Sequence, residues 1–145
     1  MSETQLTITR DELHLCQAQM DKYDTLSAST KMWALTAWVA AAGWGISIRS
    51  GMIVLLAGIV LLLFWMLDAR YKAYRENYKA RRNQVGEALR HYYEHEAFPE
   101  DFRSPTLPQH QRLRVLQRML EPHVALLYAG LLLITTGLLF NALVG

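Results

Sequence analysis

The chain has one cysteine, Cys16, so neither an internal disulfide nor a thiolate metal cluster can be built from it. Cys16 reads instead as a small buried apolar residue. No glycine-rich phosphate loop and no Gly-x-Ser-x-Gly elbow occurs, which removes P-loop and α/β-hydrolase chemistry from consideration. Proline is scarce and grouped: Pro99, Pro105 and Pro108 fall within ten residues, and Pro122 stands alone. Most informative is where charge is missing. Residues 32–48, 52–67 and 124–144 contain no Asp, Glu, Lys or Arg, although charged residues make up 19% of the chain. Each block is near the length of about 17 to 25 residues that a helix needs to cross hydrocarbon.

The expected fold is therefore an all-α membrane protein with three transmembrane helices, an amino-terminal cytoplasmic helix and a cytoplasmic extension of the second span. Four segments follow: 1–31, a cytoplasmic amphipathic helix; 32–67, a transmembrane hairpin; 68–121, a cytoplasmic helical region with a Pro-rich connector; and 122–145, the third span. Six Lys and Arg residues lie between Arg70 and Arg82, and Arg112, Arg114 and Arg118 precede the third block. Cationic flanks mark the cytoplasmic side, which puts the amino terminus in the cytoplasm, the Arg49-Ser50-Gly51 turn outside and the carboxyl terminus in the periplasm of a bacterial inner-membrane protein. No cleavable signal peptide is expected, because the first apolar run follows a polar 31-residue segment.

Thr9-Arg10-Asp11-Glu12 fits a capping box and predicts a helix start. Leu13, Cys16, Met20 and Tyr23 then form a narrow apolar stripe. Ser27, Ser29 and Thr30 mark either a break in this helix or the water–membrane boundary. In the second span an apolar run becomes basic and aromatic with no helix breaker. Leu67, Tyr71, Tyr74, Tyr78, Arg81, Val85, Ala88 and Tyr92 are spaced alternately four and three apart, a seam that needs a partner and for which the stripe is the natural one. Phe98, Phe102 and Leu107 are expected to pin the connector to the cytoplasmic helices, and 109–120 reads as a short helix with Leu113, Leu116 and Leu120 on one face. Pro122 opens the third span, where its missing N–H costs little.

Two sets of candidate functional residues emerge. Tyr71, Tyr74, Arg75, Tyr78, Lys79 and Arg82 form a basic, aromatic face suited to a nucleotide signal, anionic lipid headgroups or a cytoplasmic partner protein, although such a face is also ordinary where a helix leaves a membrane. Nothing in its pattern specifies a nucleic acid. Ala37, Ala41 and Gly45 in the first span, and Gly130 and Gly137 in the third, are small residues that permit close helix approach, hence homo-oligomerisation among membrane lipids. Asp68 is the least expected charge, a carboxylate at the membrane boundary, with Lys72 at i+4 as a candidate partner. Thr135, Thr136 and Asn141 offer a polar path. His91-Tyr92-Tyr93-Glu94-His95 matches a zinc-peptidase pattern, but such a site needs a third ligand and a walled cleft. No catalytic residue, metal or cofactor is expected.

The stretch Lys31-Met32-Trp33-Ala34 at the first entry and Phe64-Trp65-Met66-Leu67-Asp68-Ala69 at the exit, continuing through Tyr71, resembles a group of small bacterial membrane proteins, some of which look like membrane effectors of anti-phage defence operons. Where those proteins carry Glu-Arg in the exit helix, this chain has Arg75-Glu76. The resemblance covers about half of the chain. It implies a non-enzymatic, oligomeric inner-membrane effector that permeabilises or depolarises the membrane on a cytoplasmic signal. The alternative is a non-conducting anchor or scaffold that recruits a soluble partner protein.

Overall fold

The computed structural model describes residues 2–106 and 115–144, with side chains described over 3–106 and 115–141. Among these residues every regular element is helical: α1 (Ser2–Ser47), α2 (Gly51–His95), α3 (Val115–Met119) and α4 (Pro122–Val144). The chain forms two compact units, Met1–Asp24 with Ala73–Leu113, and Thr25–Lys72 with Arg114–Gly145. Both α1 and α2 contribute to each unit without a break.

Helix α1 begins at Ser2, seven residues before the capping sequence. Thr9 lies within the helix, and its hydroxyl donates to the Gln5 carbonyl at 2.8 Å, the back-bonding a mid-helix threonine adopts. Glu12 is thereby freed from capping and used elsewhere. Ser27 and Thr30 do not interrupt the helix either; both are buried, and Thr30 donates to the Leu26 carbonyl at 2.7 Å.

The first unit buries Thr9, Glu12, Cys16 and Met20 of α1 with Ala73, Val85, Ala88 and Leu89 of α2. Tyr23 extends this face and stacks on Tyr74 and Tyr78, ring centroids 5.6 and 5.8 Å apart. Leu13, at the edge of the expected stripe, is only half-buried, and the buried face is turned toward Glu12. Tyr92 in the last turn of α2 and Phe98 and Phe102 of the connector stack in series, at 4.7 and 5.7 Å, and the Arg81 guanidinium lies over the Phe102 ring. These contacts hold the connector.

The second unit packs Ala34, Leu61, Tyr128 and Leu131 as a cluster, with Trp38, Phe64 and Trp65 against it. Its buried positions on α4, namely Val124, Tyr128, Leu131 and Thr135, recur at intervals of four, three and four, a single stripe. Large apolar side chains are also exposed on it: Trp33, Leu63, Leu126, Leu133 and Phe140 are all more than half exposed. Two helices, α2 and α4, are long and apolar enough to cross a membrane. In α1 the 32–48 stretch is less apolar, because Trp33, Thr36, Trp38, Gly43, Trp44, Gly45 and Ser47 dilute its aliphatic residues.

Helix α1 ends in a Schellman motif: Ser50 N–H donates to the Gly45 carbonyl at 2.8 Å and Arg49 N–H to the Ile46 carbonyl at 3.1 Å. Arg49 takes the left-handed position, with φ 54°, although Gly51 is two residues away; Gly51 instead opens α2 behind Ser50, whose carbonyl accepts the first α2 bonds. A Cβ on Gly45 would lie 2.8 Å from Val54 Cγ2, so close approach requires glycine there.

Pro122 is the first residue of α4, as expected from its missing N–H. Of the expected 109–120 helix only α3 is described, with Leu116 and Leu120 exposed. Leu107, Leu113, Arg112 and Arg114 lie outside the described residues.

Candidate functional site

Asp68 follows directly on the apolar run of α2, and its side chain is wholly buried in the second unit. An isolated carboxylate there would be very costly, so partners must compensate it. Its partners come from α1. The Ser27 hydroxyl donates to Oδ1, and the Lys31 ammonium stands 3.6 Å from Oδ2 while donating to the His123 carbonyl of α4 at 3.1 Å. These contacts from α1 hold the carboxylate; Lys72, suggested by i+4 spacing, also has a partner. Sequence reasoning singled out Asp68 but missed Ser27 and Lys31, which lie 41 and 37 positions earlier. The available signal was that Lys31 is the last charge before one apolar block and Asp68 the first after another.

Close by, α3 and α4 are tied to the first two helices through indole donors. The Trp65 indole N–H donates to the Met119 carbonyl at 3.1 Å, and its ring stacks on Tyr128. The Trp38 indole N–H donates to Thr135 Oγ1 at 2.8 Å, and Thr135 in turn donates to the Leu131 carbonyl. Thr135 is thus a buried tie between α1 and α4, whereas Thr136 bonds within its own helix and Asn141 is exposed beside a cavity of about 460 Å³ near the Arg49 turn.

The basic, aromatic face is largely engaged within the first unit. Tyr74 and Tyr78 hold Tyr23. Arg75 bonds Asp24 at 2.7 Å and Glu76 at 3.1 Å, and the Asp24 bond raises its already high pKa further. Lys79 pairs with Glu76 at 3.7 Å. Arg82 reaches Gln17 at 3.4 Å and Asn83 at 3.1 Å. Tyr71 is half-buried in the second unit and also has a partner.

Among the small residues, Gly45 sits against α2, and Ala37 and Ala41 are half-buried. A Cβ at Gly130 or Gly137 would meet nothing within 4 Å, so neither marks a close helix approach among the described residues, whereas a Cβ at Gly58 would meet Thr135 at 3.2 Å. His91 and His95 stack, centroids 4.3 Å apart, with their Nδ1 atoms at the carbonyls of Ala97 and His91. Among the described residues no three His, Cys, Asp or Glu side chains group as a metal site.

The fold defines an all-helical chain with two helices suited to crossing a membrane. No family model, no curated protein and no solved structure matches the chain.

Proposed function

We propose that the chain is an oligomeric bacterial inner-membrane effector, acting in anti-phage defence, that permeabilises or depolarises the membrane on a cytoplasmic signal. In this reading 32–48 of α1 crosses the bilayer together with α2 and α4, the amino terminus is cytoplasmic and the carboxyl terminus periplasmic. Copies of the chain associate through α4, with Gly130 and Gly137 at the contact. The signal is received by the Tyr71 to Arg82 face.

The observation that carries the proposal is the wholly buried Asp68 held by Ser27 and Lys31 in the helical unit that contains the apolar runs. An inert anchor gains little from such a group. A carboxylate at the membrane boundary is unfavourable unless paired, and a buried ion pair that loses one partner is destabilised by about 3–5 kcal/mol. Such a pair suits a latch that is secure when closed and unfavourable when half open. Helices α1 and α2 are each unbroken, and in this reading they connect the latch to the face that receives the signal.

The test is single-cell membrane potential in bacteria expressing the intact chain, before and during phage challenge, beside Lys31→Met. Infection-dependent depolarisation by the wild type, and depolarisation without challenge by the variant, are expected. If the potential is unchanged in both while the protein is in the membrane, the proposal fails. The anchor reading then leads, and it draws on the internal engagement of Arg75 and Arg82, which leaves that face a preformed, rigid surface.

A further inference from the structure

Arg49 is the only Asp, Glu, Lys or Arg between Lys31 and Asp68, and no Asp or Glu occurs from 122 to 145. Its side chain lines a cavity of about 460 Å³ in the second unit, where the α1–α2 turn comes together with the final turns of α4. That volume is ample for a small ligand, whose sites run from about 300 to 1,000 Å³. The lining is divided by chemistry: Arg49, Ser50 and Asn141 bring a guanidinium, a hydroxyl and an amide, whereas Ile46, Val54 and Leu138 are aliphatic. Among the described residues no carboxylate lines it, so the cavity presents a positive charge that nothing in its wall neutralises. The turn that carries the guanidinium is already set, with Arg49 N–H on the Ile46 carbonyl at 3.1 Å and Ser50 N–H on the Gly45 carbonyl at 2.8 Å. Beside it the apolar surface continues, since Trp44, Ile46, Ile48 and Met52 are all more than half exposed.

We propose that this cavity binds the headgroup of an anionic glycerophospholipid, with the phosphate on Arg49 and the start of an acyl chain against Ile46, Val54 and Leu138. A guanidinium meets phosphate through paired N–H donors, and the Ser50 hydroxyl and Asn141 amide add donors for the remaining oxygens. Free phosphate shares the charge chemistry but leaves the aliphatic half of the cavity unused. A zwitterionic headgroup would bring a cation toward Arg49 with no carboxylate in the lining to receive it. The preformed turn lowers the ordering cost of binding. The site rests on the membrane part of the reading above and not on the effector role.

The test starts with carbonate extraction of membranes from cells expressing the full chain; release of the protein into the soluble fraction overturns the membrane reading and the site together. The retained protein, in dodecyl maltoside, is then followed by its unfolding midpoint against dioctanoyl phosphatidylglycerol, dioctanoyl phosphatidylcholine and inorganic phosphate. A saturable rise with phosphatidylglycerol is expected, and a half-saturating concentration roughly tenfold or more higher in Arg49→Gln, the loss of a charged hydrogen bond. Gln keeps a Cβ at the left-handed position, so backbone strain is common to both proteins and the charge is what changes. Asn141→Ala should raise it by roughly two- to tenfold, the range for a neutral hydrogen bond. An equal response to phosphatidylcholine overturns the anionic headgroup, and an equal response to inorganic phosphate overturns the lipid in favour of a free anion. Unchanged half-saturation in Arg49→Gln overturns the site, because the lipid then binds elsewhere on the protein.

Discussion

Glu12 and Arg81 form an ion pair at 2.8 Å in which both side chains are nearly buried, 6% and 11% exposed. The same carboxylate takes the Ser104 hydroxyl and the Thr106 N–H, while Arg81 donates to the Arg103 carbonyl at 2.7 Å. One pair therefore joins α1, α2 and the Pro-rich connector. Burial alone would push the Glu12 carboxyl up, but bonds from Arg81, Ser104 and Thr106, with the Arg81 charge, outweigh it and hold the group below its ordinary value. A carboxyl depressed on folding contributes stability that is fully present above its unfolded pKa of about 4.3 and is lost as pH falls through its lower folded value. Glu12→Gln is expected to cost about 3 kcal/mol at pH 7. Denaturant titrations from pH 7 to pH 3 should show the wild-type advantage over the variant shrinking below about pH 4.3; a constant difference would contradict the assignment.

Cys16 is 3% exposed in the same unit. Burial, aided by the Glu12 charge and opposed by that of Arg81, pushes its thiol up, away from the reactive thiolate. The folded protein should label with maleimide at pH 7 more slowly than the denatured chain, by roughly tenfold or more, because burial shields the thiol and disfavours its reactive thiolate. Glu12→Gln should speed labelling by loosening the unit. Rapid labelling of the native wild type would show that this face opens readily.

What was legible in the sequence was what depends on local pattern. The three uncharged blocks lie wholly or mainly within long helices, Pro122 opens α4, Cys16 is buried, and the aromatic residues Phe98 and Phe102 anchor the connector. The misreadings came where a local motif competed with a distant partner. Thr9 and Glu12 have capping-box spacing, but propensity extends the helix to Ser2, and Arg81, 69 positions on, claims the Glu12 carboxylate. Asp68 has Lys72 at helical spacing, yet Ser27 and Lys31 reach it across the helix pair. Within the expected Arg49-Ser50-Gly51 turn the left-handed position falls to Arg49, because the Schellman bonds to Gly45 and Ile46 fix the chain reversal there.

That reversal gives a paired prediction. A Cβ at Gly45 would meet Val54 Cγ2 at 2.8 Å and the Val54 backbone nitrogen at 3.2 Å, so Gly45→Ala must push the helices apart and should destabilise by about 1–3 kcal/mol. Arg49→Gly should stabilise by about 1 kcal/mol, since a left-handed residue with a Cβ is strained. Gly86→Ala is the control: nothing lies within 4 Å of the added methyl, and helix propensity alone should give about 0.8–1 kcal/mol of stabilisation. SDS-unfolding midpoints read all three, and a neutral Gly45→Ala would mean that the α1–α2 approach is looser than 2.8 Å implies.

Asp24 and Arg75 separate structure from signalling. Their bond is short at 2.7 Å, but the side chains are 40% and 27% exposed, so solvent screens the pair and its net worth is at most about 1 kcal/mol. Asp24→Asn should therefore leave the unfolding midpoint nearly unchanged. Charge reversal of Arg75, Lys79 and Arg82 together should abolish infection-dependent depolarisation if this face receives the signal. Repulsion with Asp24 would also arise, so the swap Asp24→Arg with Arg75→Asp is the decisive companion: it restores the local pair but changes which side chain a ligand meets. Restored stability with lost response assigns Arg75 to signal recognition. If the swap restores both, Arg75 acts only by holding α1 against α2, and the receiving surface must be sought elsewhere.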